Sequence, residues 1–277
     1  MVQNKEGRSV TKKDVLDTTS AVFAEFLGTL LFAWLGGIAK AAAFGNGLAL
    51  SAMVFFTAST SGGHLNPAVT IALMATREHH WLKGILYIVA QLVGGIMGAL
   101  LDGGLSGVTL GSGDGPACAN ITLTSDGVVF GYEFMMTFVL VGVIFATAVN
   151  KAGEFGGATP IAIGLALFVC ADAGGDATGG YLNPARMLGP AIAFGCNLSR
   201  SWVYVLAEVL GGLASAIIYK TMMMKMKFFI PSSQYEDRQH GTDEVGANTP
   251  TMHEFDSLVV RRETIRHKSS GKVDVSQ

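Results

Sequence analysis

The stretch Ser61-Gly62-Gly63-His64-Leu65-Asn66-Pro67-Ala68-Val69-Thr70 decides how this chain folds, because its core tripeptide Asn66-Pro67-Ala68 returns as Asn183-Pro184-Ala185. Asn is a favoured helix N-cap and Pro suits the first helical position, so each tripeptide starts a helix. The apolar segments that follow, 67–76 and 184–194, are too short to cross a bilayer. Ten residues rise about 15 Å, against about 30 Å of hydrocarbon. Both are expected as half-helices that enter the membrane and return.

Other blocks repeat in the same register. Gly47-Leu48-Ala49-Leu50 returns as Gly164-Leu165-Ala166-Leu167, and Gln91-Leu92-Val93-Gly94-Gly95 as Glu208-Val209-Leu210-Gly211-Gly212, all at the 117-residue offset of the tripeptides. Glu25-Phe26 pairs with Glu133-Phe134 at 108, which places the nine-residue difference between the first and second helices of each repeat. Hydropathy puts spans near 21–38, 45–60, 82–101, 130–149, 160–173 and 202–223. Each half therefore holds three spans and one half-helix, and an odd span number makes the halves inverted copies. The fold class is an all-α membrane protein of six transmembrane helices plus two re-entrant half-helices.

Composition agrees. Half of the 277 residues are apolar, 36 are Gly, mean hydropathy is +0.43, and 14% are charged, where soluble domains have about 25%. Seven of the charged residues lie in 1–20 and fourteen in 231–277, which leaves nineteen for the 210 residues between. The expected organisation is a cytoplasmic tail over 1–20, a transmembrane core over 21–230, and a polar cytoplasmic tail over 231–277. Within the core, repeat 1 covers about 21–105 and repeat 2 about 128–225. The first apolar run is too long for a cleaved signal peptide and reads as a retained helix. Lys5, Arg8, Lys12, Lys13, Arg77, Lys83, Lys151 and the tail from Lys220 fall on one side, against Lys40 and Arg200 on the other, so both termini are expected in the cytoplasm. Cys118, Cys170 and Cys196 form no even-numbered framework and read as small apolar residues. A net charge of −2 and the lack of a basic, aromatic-interleaved patch give no reason to expect a nucleic-acid partner. No catalytic, metal-ligating or cofactor-binding constellation stands out.

If the two half-helices enter from opposite faces, their N-termini meet near the bilayer centre with partial positive charge. Each Asn then caps its own helix through its carbonyl and keeps its amide NH₂ free to donate to a water oxygen. The converging dipoles orient water and oppose protons and cations, which predicts a pore for neutral solutes. Arg186 follows the second motif and reads as a pore-lining cation repeller. Glu25, Glu133, Gln91 and Glu208 read as supports for the irregular backbone leading into the half-helices. His64 and Tyr181 are candidates for lining the pore through their backbone. His79 and His80 read as part of a solvated cytoplasmic turn. Gly94 and Gly98, and the Gly211-Gly212 pair, permit close helix approach.

The run 61–70 and Asn183-Pro184-Ala185-Arg186, with Glu25 and Glu133 in symmetric helices, resemble the aquaporin and aquaglyceroporin family over about 21–220, with some likeness to its tonoplast-type branch at Trp202-Val203-Tyr204 and Gly211-Gly212. The resemblance implies tilted helices around one pore per subunit and a homotetramer in the lipid bilayer. It also implies a selectivity filter at Asn46, Ala171, Gly180 and Arg186. Water-selective members carry an aromatic at the first position and His at the second, so this filter is expected to be wide. Met187, Ala191 and Tyr204 favour the water-channel branch. The function expected is passive passage of water together with small neutral solutes such as urea, ammonia or glycerol, in the plasma membrane or a vacuolar or other internal membrane. A dedicated glycerol facilitator and a structural junction protein are the alternatives.

Two sequons, Asn120-Ile121-Thr122 and Asn197-Leu198-Ser199, fall on the expected outer side, and Thr264 follows a basic pair that suits a kinase.

Overall fold

The structure, a computed structural model, describes residues 12–119, 125–150 and 155–224. Their helices are α1 (Lys12–Ile38), α2 (Ala42–Ser61), α3 (Pro67–Ala75), α4 (Trp81–Ser106), α5 (Asp126–Ile144), α6 (Thr159–Thr178), α7 (Pro184–Phe194) and α8 (Ser201–Ile218), and the described residues contain no strand. Six helical segments are long and apolar enough to span a bilayer, while α3 and α7 have 9 and 11 residues. Large apolar side chains such as Phe55, Phe56, Leu86, Val139 and Val169 cover the outside. In water that surface would be unstable; against lipid tails it is neutral.

Three spans outrun their sequence-based limits. The first helix begins at Lys12, not Ala21. Its charged opening turns, with Asp14 near the positive end of the dipole, continue the helix beyond the apolar run. Its 27 residues reach about 40 Å, more than the hydrocarbon thickness. α4 runs on to Ser106 and ends at Gly107 in the left-handed conformation, φ 70°. α6 runs on to Thr178 and ends likewise at Gly179.

Small residues set the helix spacing. A Cβ at Gly94 or Gly98 would lie 2.5 Å from the Phe26 or Leu30 carbonyl oxygen of α1, so these glycines let α1 and α4 touch. Gly211 does the same for α8 against the Phe134 carbonyl of α5. These contacts bring helices of one repeat together. Others join the repeats: Gly95 of α4 backs the Ala185 carbonyl, and Gly212 of α8 backs the Ala68 carbonyl. Each short helix thus rests on the third long helix of the opposite repeat. Where α2 crosses α6, Gly47 faces Gly164, its own counterpart in the repeat.

Candidate functional site

The two Asn-Pro-Ala motifs meet at the centre of the molecule. Asn66 is the N-cap of α3, and its Oδ1 accepts the Ala68 N–H at 2.9 Å; Asn183 caps α7, accepting from Ala185 at 3.0 Å. The remaining amide groups cross over. Asn66 Nδ2 donates to the Leu182 carbonyl and Asn183 Nδ2 to the Leu65 carbonyl, each at 2.8 Å. This corrects the expectation of wholly free NH₂ groups. One hydrogen of each amide locks the two loops together, and an amide nitrogen carries two, so each Asn keeps a second donor hydrogen.

The loops before these caps follow one backbone path. Gly62 and Gly179 end α2 and α6 with φ 96° and 95°, Gly63 and Gly180 follow at 62° and 60°, and Leu65 and Leu182 sit at 50° and 54°. A left-handed Leu is unfavourable and persists only when its surroundings hold it. The holder is a buried carboxylate. Glu25 Oε2 accepts the Leu65 N–H at 2.7 Å and Oε1 the His64 N–H at 2.9 Å; Glu133 accepts Leu182 at 2.9 Å and Tyr181 at 3.1 Å. Ser61 and Thr178 each donate a hydroxyl to the same carboxylates at 2.6 Å, and the Tyr87 and Tyr204 hydroxyls bond the Ser61 and Thr178 carbonyls. Gln91 Nε2 completes the first network by donating to Glu25 Oε2 at 2.8 Å and to Thr70 Oγ1 at 2.9 Å. Glu208 takes the corresponding place in the second repeat, yet neither of its oxygens has a hydrogen-bond partner.

Two openings lead to this centre from opposite ends. One, about 390 Å³, is walled mainly by apolar side chains such as Phe32, Leu50 and Leu167, with Asn66, Asn183, His64, Tyr181, His79 and Glu78 as polar elements. The other, about 570 Å³, has Asn46, Ala171, Asp172, Asp176 and Arg186 around it. Three of the four expected filter residues therefore line one opening. The fourth, Gly180, packs behind Ala171: a Cβ there would come 2.9 Å from the Ala171 Cα. Arg186 is 4% exposed, and its Nε and Nη1 have no protein partner. Phe32 and Tyr181 present their rings to its Cζ at 5.9 and 5.6 Å. Ring faces hold the cation without using its N–H groups, which leaves Nε and Nη1 as open donors beside the opening. Asn46 Oδ1, also buried and unpartnered, sits beside them, and Gly36 permits this because a Cβ there would overlap Asn46 Oδ1 and lie 3.4 Å from Arg186 Nε.

Several residues carry roles the sequence did not reveal. Cys118 and Cys196 form a disulfide, which corrects their reading as isolated small residues; Cys170 is the buried free thiol. Both partners lie in connections expected on the outer side, and that shared side was the available signal. The bond fastens the segment 107–119 over the wider opening, where Gly111 and Gly113 also donate to the Ala193 and Phe194 carbonyls. Tyr181 adds a side-chain role to its backbone one, since its hydroxyl donates to the Ala117 carbonyl at 2.6 Å and accepts the Ala119 N–H at 3.1 Å. Asn197 spends its amide on the Ala119 carbonyl at 2.7 Å. His79 corrects the solvated-turn reading: its ring packs 4.7 Å from His64 and 4.8 Å from Tyr87. Burial, assisted by the nearby His64 and Lys83, pulls its pKa down to about 4. Asn120 and Thr264 lie outside the described residues.

Comparison with known proteins gives consistent likenesses. A sequence model of the family described as Major intrinsic protein matches residues 12–219. Aquaporin TIP2-2 of Zea mays is 39% identical over 220 residues, which is 72% of this chain and 85% of that protein. Nodulin-26 of Glycine max is 42% identical over 180 residues, 62% of each chain. Among solved structures, the aquaglyceroporin from Plasmodium falciparum superposes with a TM-score of 0.67 at 26% identity, covering 76% of this chain and 98% of that one.

Proposed function

This chain belongs to the major intrinsic protein family, whose members are transmembrane channels and not enzymes, and on that premise we propose that it is a water channel with a wide filter. The observation that carries the reading is the meeting of two helix N-termini, each capped by an Asn that keeps one amide hydrogen for the pore, between two openings. Each terminus supplies about half a positive charge. A water passing between them accepts hydrogen bonds from both amides and turns its own hydrogens outward, so its neighbours cannot relay a proton through it. Arg186 adds a full positive charge at the filter and repels cations.

The filter residues Asn46, Ala171, Gly180 and Arg186 set the solute range. Ala171 leaves space where a larger side chain would close the path, and Gly180 lets the loop pack against the back of Ala171, while Arg186 donates and Asn46 Oδ1 accepts. That pairing suits molecules with both kinds of group, such as urea, glycerol and ammonia alongside water. Glu25, Glu133, Gln91 and Glu208 support the loops, and His64 and Tyr181 line the smaller opening.

Orientation follows from the charges. Lys220 of the C-terminal turn bonds Glu78 at 2.6 Å and the Thr76 carbonyl, which gathers it with Arg77 and Lys83 at the end we assign to the cytoplasm. The Cys118–Cys196 disulfide sits at the other end of α8, as an oxidising exterior or lumen favours. Four copies would make the assembly in the plasma membrane or an internal one.

Stopped-flow light scattering on proteoliposomes tests the proposal. Water permeability well above that of empty vesicles is expected, with measurable urea and glycerol entry and no matching proton flux. Permeability equal to empty vesicles would overturn the channel reading in favour of a junction protein. Fast water with solute exclusion would overturn the wide filter, and fast glycerol with slow water would make this a dedicated facilitator.

A further inference from the structure

The two repeats bond their buried carboxylates alike, through a hydroxyl and two loop N–H groups each, and Glu208 is where they part. In the first repeat the third long helix supplies Gln91, whose amide donates to Glu25 Oε2 at 2.8 Å and to Thr70 Oγ1 at 2.9 Å. At the 117-residue offset Gln91 becomes Glu208 and Thr70 becomes Met187. The donor next to the central carboxylate has thus been replaced by an acid, and the hydroxyl beyond it by a thioether. Glu208 is fully buried, with no partner on either oxygen. The backbone N–H of Asn183 approaches it, outside the geometry of a full hydrogen bond.

A fully buried carboxylate beside a second carboxylate and without a hydrogen bond is among the costliest arrangements a protein can hold. The ionisable groups around Glu208 are Glu133 from α5, Arg186 from α7, Tyr181 from the intervening loop, and Tyr204 one turn earlier on α8. Arg186 is turned between the rings of Phe32 and Tyr181 and makes no ion pair with it. Glu133 already accepts three hydrogen bonds, from Thr178, Tyr181 and Leu182. All three of its partners act as donors, the set that an ionised carboxylate accepts. One proton on Glu208 resolves the conflict: it turns an acceptor-only group into one donor and one acceptor, which is the hydrogen-bonding character of the Gln91 amide.

We propose that Glu208 is a permanently protonated carboxylic acid that donates toward Glu133 and positions the second loop as Gln91 positions the first. The conduction path then depends on one stored proton that takes no part in transport. This rests on the reading of Glu208 as a loop support, and the test separates the two.

The experiment compares wild type, Glu208→Gln and Glu208→Ala, purified whole and reconstituted, by water permeability and by infrared spectroscopy of the carboxylic-acid C=O stretch. Wild type minus Glu208→Gln is expected to show one acid C=O band that shifts in deuterated water. Glu208→Gln is expected to conduct within about twofold of wild type and Glu208→Ala to lose about threefold or more, as removal of one buried hydrogen-bonding group implies. A difference spectrum with no acid band overturns the proposal whatever the permeabilities. So does a Glu208→Gln protein that loses as much as Glu208→Ala, because an ionised Glu208 would then be what the loop requires. An acid band with all three proteins conducting alike would keep the proton and remove the positioning role, and the proposal would fall on that half. Silence of wild type in the water assay counts against the channel reading and leaves the spectroscopic result to stand by itself.

Discussion

The two loops that lead into α3 and α7 share a backbone, a carboxylate, a hydroxyl and a tyrosine, and they differ in what surrounds them. Around the first, Gln91, Thr70 and His64 complete a polar network in which neighbouring groups satisfy one another. Around the second, Glu208, Met187 and Arg186 leave polar atoms without partners. The difference teaches that geometry and chemistry were assigned to separate residues. Glu25 and Glu133 fix the same path twice, and the positions beyond them were free to diverge, one loop keeping a satisfied polar network and the other the unpaired Arg186 and Glu208.

The largest effect is expected from removing a holder. Glu133→Leu strips the acceptor from two loop N–H groups and a hydroxyl, at a cost of about 3–5 kcal/mol, and Glu25→Leu should cost a similar amount. Thermal unfolding in detergent checks both. A mild Glu25→Leu beside a severe Glu133→Leu would break the equivalence of the loops. Next comes the disulfide that only the second side possesses. Cys118→Ser with Cys196→Ser opens a link across 78 residues, which is worth about 2–4 kcal/mol. Its removal should lower the unfolding temperature, and reductant should reproduce the effect in wild type but not in the double variant.

Arg186→Val gives the second repeat the residue that the first carries as Val69. Urea and glycerol permeability are expected to rise about tenfold, the effect of a barrier lower by about 1.4 kcal/mol, with little change in water flux. Unchanged solute rates would show that Arg186 does not limit passage. An effect of similar size, spread over a pH window, concerns His79. His79, at about 4 in the fold against an ordinary 6.5, binds fewer protons folded than unfolded between those values. Stability is therefore unaffected above pH 6.5, declines as pH falls through that window, and reaches its full loss below about 4. For a half-exposed ring this loss is on the order of 1–2 kcal/mol. His79→Gln should flatten that part of the stability profile, as followed by unfolding temperature against pH.

The sequence carried most of this architecture because the information was written twice. Asn66-Pro67-Ala68 and its partner announce two capped helices, their brevity excludes full spans, and the matching Glu25 and Glu133 point to buried supports whose bonds the structure supplies. What stayed hidden joins residues far apart without any repeat to flag them. Phe32 and Tyr181 flank Arg186 from two different elements, and nothing in their neighbourhoods marks an aromatic that will face a cation. Cys118 and Cys196 have no counterparts in the first repeat, so periodicity was blind to them. Helix ends were also misplaced, because Lys12 to Ser20 and Asp102 to Ser106 are polar enough to look like loops while still winding as helix.

Gly47 and Gly164 touch where α2 and α6 cross, and that contact bears on how such a chain can change. Were the halves separate polypeptides pairing as twins, this glycine would meet its own copy, and any substitution would strike the interface from both sides together. Fusion into one chain uncouples the copies everywhere except at such self-facing points. Residues away from the axis, Gln91 and Glu208 or Val69 and Arg186, became individually editable, whereas an alanine at either axial glycine still drives its methyl into the opposite backbone. The crossing acts as a fixed pin common to both halves, around which their surrounding side chains could diverge.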